Sequence, residues 1–371
     1  MKILITGGAG FVASYLIDEC LKNGDEVIVT QRWNEDLSRL KDKQIQFNKE
    51  YNAKDIKSIQ VENVELTDLS SVIRVINKHR PDVISHLAAQ SWVPYSFDNP
   101  IYTMKNNIES TLNILEAIRI IQEVDKGKYT LSWISGEMNE TPVEYNPLIH
   151  ICSSSEFYGK VNREDLPITE NHKANPGNPY GVSKVAGDFL AQIYEKTYDL
   201  RILITRMFTH TGAGRTMMSA ENYYAKTIAE YEKMDKNSQM SVSDNPDGSR
   251  PYNYVIRTSD EEGMNSLRTW ADARDAVRNY YSLFKNQKTG IYNISGQTEK
   301  TIQEVLDYLI SQSILHPSVW KFEVDKQFVR KINVDKQIVD ITKFKQENDW
   351  SNEISFEDTM KEILESWRKK V

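Results

Sequence analysis

Lys2-Ile3-Leu4-Ile5-Thr6-Gly7-Gly8-Ala9-Gly10-Phe11-Val12-Ala13 opens the chain with a short apolar strand, a glycine turn and the start of a helix. The helical pattern continues through Tyr15, Leu16, Cys20 and Leu21. A glycine turn between strand and helix lets backbone N–H groups approach a pyrophosphate, whose charge the helix N-terminus also favours. The spacing is Gly-x-x-Gly-x-x-Ala, with Ala13 where a third glycine often stands and where close helix–strand packing is still allowed. This stretch predicts a dinucleotide site at the first strand-to-helix turn, with Gly7, Gly10, Phe11 and Val12 against the cofactor.

The next elements repeat the same alternation. A second strand, Glu26 to Thr30, ends in Gln31-Arg32 rather than in an acid. An acid there would bond the ribose 2′-hydroxyl of NAD, whereas an arginine can pair with the 2′-phosphate of NADP, so Arg32 points to NADP over NAD. A solvated arginine after a strand is the plain alternative. Ile59 to Val64 reads as a third strand, and Glu65-Leu66-Thr67-Asp68 caps a helix running through Ile76. Asp82 to Ala89 reads as a fourth strand ending in the small residues Ala88 and Ala89, which admit a cofactor close to the backbone. Gln90, Ser91 and Asn99 follow in a loop on that edge, and a helix from about Thr103 to Ile121 carries Asn107 and Thr111. Leu148 to Cys152, a helix from Pro179 through Ile193, and Arg201 to Arg206 complete the series.

Strands alternating with helices imply an α/β chain with a Rossmann-type doubly wound parallel sheet. We assign residues 1–208 to it, with 266–296 returning, and 209–265 and 297–371 to a smaller mixed α/β lobe that closes over substrate. Residues 34–58, 122–146 and 235–266 read as polar excursions, the last with turn signals at Asn245-Pro246-Asp247-Gly248.

Composition narrows the function. The 371 residues carry a formal charge of −7, which leaves no basic footprint for nucleic acid. Cys20 and Cys152 are far apart and form no CxxC, so a disulfide framework or zinc site is not expected, and a reducing, cytoplasmic setting is. No apolar run reaches the length of about 18 residues that spans a bilayer, so no membrane association is expected. No His, Cys or carboxylate spacing reads as a metal site.

The chemistry gathers between Ser153 and Lys184. Tyr180 and Lys184 stand four apart behind a proline, so one helix face carries both. A lysine cation beside a phenol favours the phenolate and brings a group whose pKa is ordinarily about 10 toward a useful range. Tyr-x-x-x-Lys alone is common on helix surfaces, but here an apolar strand empties into Ser153-Ser154-Ser155-Glu156 just upstream. Hydroxyls and a carboxylate at the carboxyl end of a parallel strand sit where α/β sheets bind ligands.

Together these elements resemble the extended short-chain dehydrogenase/reductase family, in its nucleotide-sugar branch. Thr6 to Val12, His86 to Ser91, Asn107 to Asn113, Ser153 to Gly159 and Pro179 to Lys184 fall in the family's order over essentially the whole chain. Gln90 to Asp98 and Ser155 to Lys160 are similar to GDP-mannose 4,6-dehydratases. Thr205 to Gly212, Leu267 to Asp275, and the tail around Asp349-Trp350 and Trp367-Arg368 resemble GDP-4-keto-6-deoxymannose reductases at least as closely. The resemblance implies a GDP-linked sugar substrate, a homodimer or homotetramer, and a cofactor touched by Leu66, Leu87, Ala88, Ala89, Asn107, Tyr180 and Lys184 as well as the glycine turn.

The resemblance also implies roles. Tyr180, tuned by Lys184, takes the proton of the sugar 4-hydroxyl, Ser154 holds that oxygen, and Glu156 removes the C5 proton so that water leaves from C6. A plain ketoreductase needs no such base, although a glutamate can also merely hold sugar hydroxyls. Ser91, Ser155 and Thr209 fall at substrate positions, and Arg215 and Arg268 are candidates for the diphosphate because guanidinium forks match phosphate oxygens. Arg274, flanked by Asp272 and Asp275, reads instead as an internal ion pair. There are departures: Thr209 stands where relatives carry Asn, Ser110 where they carry Gly, and Ser154 where dehydratases carry Thr. The loop that supports a tetramer in relatives is not recognisable at Arg32-Trp33-Asn34-Glu35. A 4-epimerase or a cofactor-binding protein without catalysis stay as alternatives, the second opposed by the presence of Ser154, Tyr180 and Lys184.

Overall fold

The computed structural model describes residues 1–32, 59–127, 145–237, 254–329, 332, 334–348 and 353–371. The excursion at 34–58, the Trp33-Asn34-Glu35 loop, the Asn245 to Gly248 turn signals and Asp349-Trp350 lie outside the described residues.

The first half alternates as its apolar runs require: β1 (Lys2–Thr6), α1 (Phe11–Lys22), β2 (Glu26–Gln31), β3 (Gln60–Asn63), α2 (Leu69–His79), β4 (Val83–His86), α3 (Val93–Asp98), α4 (Pro100–Asp125), β5 (Leu148–Cys152), α5 (Pro179–Tyr198) and β6 (Arg201–Met207). Then come β7 (His210–Thr211), α6 (Ala220–Asn237), β8 (Tyr254–Thr258), α7 (Glu261–Met264), β9 (Leu267–Asp272), α8 (Ala273–Lys285) and β10 (Gly290–Ile294). The chain ends with β11 (Thr298–Thr301), α9 (Ile302–Ser311), β12 (Trp320–Val324), β13 (Lys336–Gln337), α10 (Thr342–Glu347) and α11 (Phe356–Arg368).

Seven strands form one sheet in the order β10-β6-β5-β4-β1-β2-β3, with every pairing parallel. Because side chains alternate along a strand, each strand feeds two cores. Ile3, Ile5, Val27 and Val29 pack under α1 and α8 through Leu16, Ile17, Val277 and Phe284. Leu4, Ile28, Ile84 and Ile149 pack on the opposite face under α2 and α4 through Val72, Ile76, Leu115 and Ile118. A four-stranded sheet of β11, β9, β13 and β7, a β12–β8 pair and a third core around Trp270, Val305 and Ile363 build the lobe. A buried ion pair joins β6 to α5, Arg206 with Asp188 at 2.9 Å, its guanidinium 3.6 Å from the Phe157 ring centroid.

Several boundaries differ from the sequence reading. The ladder of β4 stops at His86, because the Ala88 N–H turns to Thr6 Oγ1 at 3.1 Å instead of continuing the strand. Helix α4 runs on to Asp125, where Arg80 receives it at 2.6 Å, so the start of the 122–146 excursion is helical. Within 235–266, β8 and α7 are regular structure; β8 pairs with β12, more than 60 residues on, a partner no local pattern announces. Leu267–Asp272 was expected to return to the large sheet but is hydrogen-bonded into the lobe's sheet, and the return begins with α8 and β10.

Candidate active site

The site lies at the carboxyl edge of the parallel sheet. Gly7 follows β1 with φ of +71°, and a Cβ there would meet Ala88 Cα at 3.0 Å; at Gly8 it would stand 2.5 Å from Val29 Cβ. Only glycine lets β1 turn this tightly against β2 and β4. Helix α1 starts at Phe11 with no side-chain cap and no acid in its first turn, so its N–H groups and positive dipole end are available to an anion. A dinucleotide's diphosphate fits this cradle. Thr6 Oγ1 secures the turn, accepting from Ala88 N and meeting His86 Nδ1 at 2.9 Å.

The other expected cofactor residues divide. Arg32 is exposed just past β2, and its Nη1 donates to Tyr102 Oη at 2.8 Å. Leu66 and Leu87 are half-buried against the two cores, and the Leu66 carbonyl accepts from Asn113. Asn107 joins two elements of the site. Its amide accepts from Gln90 N at 2.8 Å and donates to the Gln90 carbonyl at 3.0 Å and to Ser183 Oγ at 2.9 Å. It ties the loop after β4 to the helix that carries Lys184, with its polar atoms committed to the protein.

At the end of β5, Ser154 opens a short 3-10 turn, Ser155–Phe157, by accepting from Glu156 N at 3.2 Å. Its hydroxyl also lies near enough to the Tyr180 phenol to favour the phenolate. Asn178 caps α5, accepting from Gly181 N at 2.8 Å, while its Nδ2 donates to Glu156 Oε2 at 2.7 Å. One amide thus fixes the carboxylate relative to Tyr180. Lys184 Nζ donates to the Cys152 carbonyl at 2.8 Å and stands 5.9 Å from the Tyr180 ring centroid. Ser154, Glu156, Tyr180 and Lys184 therefore converge.

Their electrostatics correct one expectation. Lys184 was expected to pull the phenol's pKa down, yet burial pushes Tyr180 up, with the charges of Cys152 and Glu156 adding to it. Ser154's hydroxyl and Arg215's charge oppose this without overcoming it. Burial likewise pulls the Lys184 ammonium down. Beneath them His86 and His150 are buried, and burial followed by the Lys184 charge lowers each from 6.5 to about 3. Neutral imidazoles can both donate and accept, and these do: His86 meets Thr6 and Thr111, and His150 meets Ser85 and Thr205 at 2.9 and 2.8 Å.

The expected substrate residues are spread more widely. Ser91 is exposed in the loop after β4, and Thr209 is half-buried, its carbonyl accepting from Ala271 N. Ser155 is buried with Oγ donating to Gln337 Oε1 at 3.5 Å. Arg268 is buried in β9, in register with Gln337, and Nη1 donates to the Leu267 carbonyl. Arg215 is half-buried after β7, donating to the His210 carbonyl with its guanidinium carbon 5.6 Å from the Phe11 ring centroid. Arg274 pairs with Asp272 and Glu362, each at 2.8 Å. Asn178 escaped the sequence reading, although an Asn directly before a helix-opening proline is a capping signature. Gln337, brought in by β13, carries no local signal.

Among the described residues no cluster of three His, Cys, Asp or Glu could hold a metal ion, and no helix is long and apolar enough to cross a membrane. The family model for GDP-mannose 4,6 dehydratase matches residues 4–258 and 261–363. Among curated proteins, the chain is 25% identical over 377 residues to a dTDP-glucose 4,6-dehydratase of Haemophilus influenzae, covering 98% of this chain and 97% of that one. It is 24% identical over 292 residues to a GDP-6-deoxy-D-mannose reductase of Pseudomonas aeruginosa, covering 78% and 82%. Among solved structures it is similar to DesIV, a dTDP-glucose 4,6-dehydratase from Streptomyces venezuelae with NAD and TYD bound. There the TM-score is 0.73, at 21% identity, with 100% and 97% of the two chains covered.

Proposed function

The chain belongs to the GDP-mannose 4,6 dehydratase family, and from that premise we propose that it is an NADP-dependent 4,6-dehydratase of a GDP-linked sugar. The observation that carries the dehydratase reading is Glu156, a carboxylate held by Asn178 at 2.7 Å beside the Ser154–Tyr180 pair. Oxidation at C4 alone needs no positioned carboxylate, whereas elimination across C5 and C6 does.

The glycine turn, the uncapped start of α1 and Arg32 would hold the cofactor. When bound, the nicotinamide supplies a hydride acceptor for C4 and the hydride that returns to C6. Tyr180 takes the proton from the 4-hydroxyl oxygen, and Ser154, close to the same phenol, steadies that oxygen. Because burial pushes the phenol up, Tyr180 must first give up its own proton to accept that of the 4-hydroxyl, and once it has done so it is a ready donor that holds the 4-keto oxygen polarised. Lys184, anchored on the Cys152 carbonyl, supplies the positive charge that offsets negative charge developing on the phenol oxygen. Glu156 takes the C5 proton, made acidic by the 4-keto group, and delivers a proton to the departing C6 oxygen, so the net loss is one water. In this reading Ser91, Ser155, Thr209 and Arg268 face the nucleotide sugar, and Arg32 selects NADP.

One observation favours a 4-keto reductase instead: Glu156 Oε2 already accepts from Asn178, as in a carboxylate that only orients sugar hydroxyls. Incubation with GDP-mannose and catalytic NADP⁺ in deuterated water separates the two. A 4-keto-6-deoxy product with deuterium at C5 and no net change in NADPH is the expected result. No product, together with NADPH consumption when ready-made 4-keto-6-deoxy sugar is supplied, makes the protein the reductase.

A further inference from the structure

We infer that Arg215 is a cofactor-binding residue that closes over the dinucleotide's diphosphate, rather than a ligand of the substrate's diphosphate. The inference rests on the reading above that a nicotinamide dinucleotide occupies the glycine turn. The Gly212–Arg215 part of the loop after β7 is fastened to the first turns of α1, while Ser219 further on joins it to α6 of the lobe. Tyr15 Oη donates to the Ala213 carbonyl at 2.6 Å, and a Cβ on Gly212 would lie 3.2 Å from Tyr15 Oη and 3.6 Å from Phe11 Cζ. Phe11 is the first residue of α1, so its ring stands at the helix end that offers N–H groups to an anion. Arg215 lies with its guanidinium carbon 5.6 Å from that ring. Arg268, the other cation considered for the substrate, sits in the lobe's β9 instead.

The guanidinium is also chemically prepared for this. One of its N–H groups holds the His210 carbonyl, which keeps the side chain in place and leaves further donors of the fork. Among the described residues no carboxylate pairs with Arg215, whereas Arg206, Arg274 and Arg368 each have one. A half-buried, unpaired cation beside an uncapped helix start has the charge and geometry for a dianionic diphosphate. The Ala213 tether then makes cofactor binding and the position of the post-β7 loop, with Thr209 at its root, a single event.

The test is direct binding. Dissociation constants for NADPH and NADH are measured by fluorescence quenching on the wild type, Arg215→Ala and Arg215→Lys, with GDP binding by calorimetry on the same proteins. Loss of a charge-assisted contact should weaken NADPH and NADH alike by about ten- to a hundred-fold. Lysine should restore part of that loss, and GDP binding should be unchanged. An equal loss for both cofactors separates Arg215 from Arg32, which acts on the 2′-phosphate alone. Weakened GDP binding with intact dinucleotide binding returns Arg215 to the substrate and overturns the inference. So does a lysine variant as weak as the alanine variant with an equally lowered melting temperature, which marks a residue that only holds the loop. A wild type that binds neither dinucleotide takes down the functional reading itself.

Discussion

Lowering the pH from 7 to 5 should cost this protein several kcal/mol of stability, carried mainly by histidines rather than by carboxylates. His86 and His150 are held neutral by burial, at about 3 each, and the half-buried His210 by desolvation and then the Arg215 charge, at about 4, against an ordinary value of 6.5. Between those values the unfolded chain binds protons that the folded chain refuses, so stability rises with pH and falls as acid is added. It is fully present above 6.5 and lost progressively down to the folded values. Each group contributes about 1.4 kcal/mol per pH unit once below 6.5, so three together give a slope of about 4 kcal/mol per unit. From pH 7 to 5 the loss is about 6 kcal/mol, comparable with the whole stability of a typical domain. Carboxylates lowered by their partners, such as Glu116 bonded to Arg119, act only below their ordinary 4.5, outside this window. Urea unfolding at quarter-unit steps of pH measures the slope, and His150→Gln, whose amide can still bridge Ser85 and Thr205, should reduce it by about one proton. Uptake of fewer than one proton on unfolding between pH 6 and 5 would refute the reasoning, because it would mean that these imidazoles charge in the folded protein.

Two further outcomes concern the turn after β5. Glu156→Gln keeps an oxygen for Asn178 but removes the base, so turnover should fall by about 10²- to 10⁴-fold while transient formation of reduced nicotinamide persists; unimpaired C5 deuteration by this variant would remove Glu156 from the mechanism. Gly159→Ala should destabilise by about 3 kcal/mol or more, because φ is +54° and the new Cβ would lie 1.8 Å from the Asn175 carbonyl oxygen. A melting temperature within a degree of the wild type would show that the 159–175 contact is not fixed.

The large sheet was legible because β1, β2, β4, β5 and β6 are apolar runs, as strands buried on both faces have to be, while the edge strand β3, Gln60–Asn63, is largely exposed and was legible only through its flanking Ile59 and Val64. The convergence of Ser154, Glu156, Tyr180 and Lys184 was legible for a related reason, since a strand end and the start of the next helix meet at one edge by topology alone. What failed depends on partners distant in sequence. Leu267 to Asp272 reads like any β-strand, and only β11 and β13 decide which sheet it enters. That the Asn107 amide also bonds Gln90 and Ser183 was likewise beyond any local pattern. The sign of the Tyr180 shift was missed because spacing reports Lys184 as a neighbour but says nothing of how little water reaches the phenol.

The late arrival of β10 has a consequence for how this chain is made. Strand β6 ends at Met207, but the strand that covers its outer edge does not begin until Gly290, roughly 80 residues later. At ribosomal speeds of about 5–20 residues per second, β6 waits about 4–16 s as an open edge with unpaired N–H and C=O groups. During that time the nascent sheet is a template for strand pairing between neighbouring chains. Chains halted between Met207 and Gly290 should therefore aggregate, and slow codons in that interval should lower the soluble yield without altering the finished enzyme.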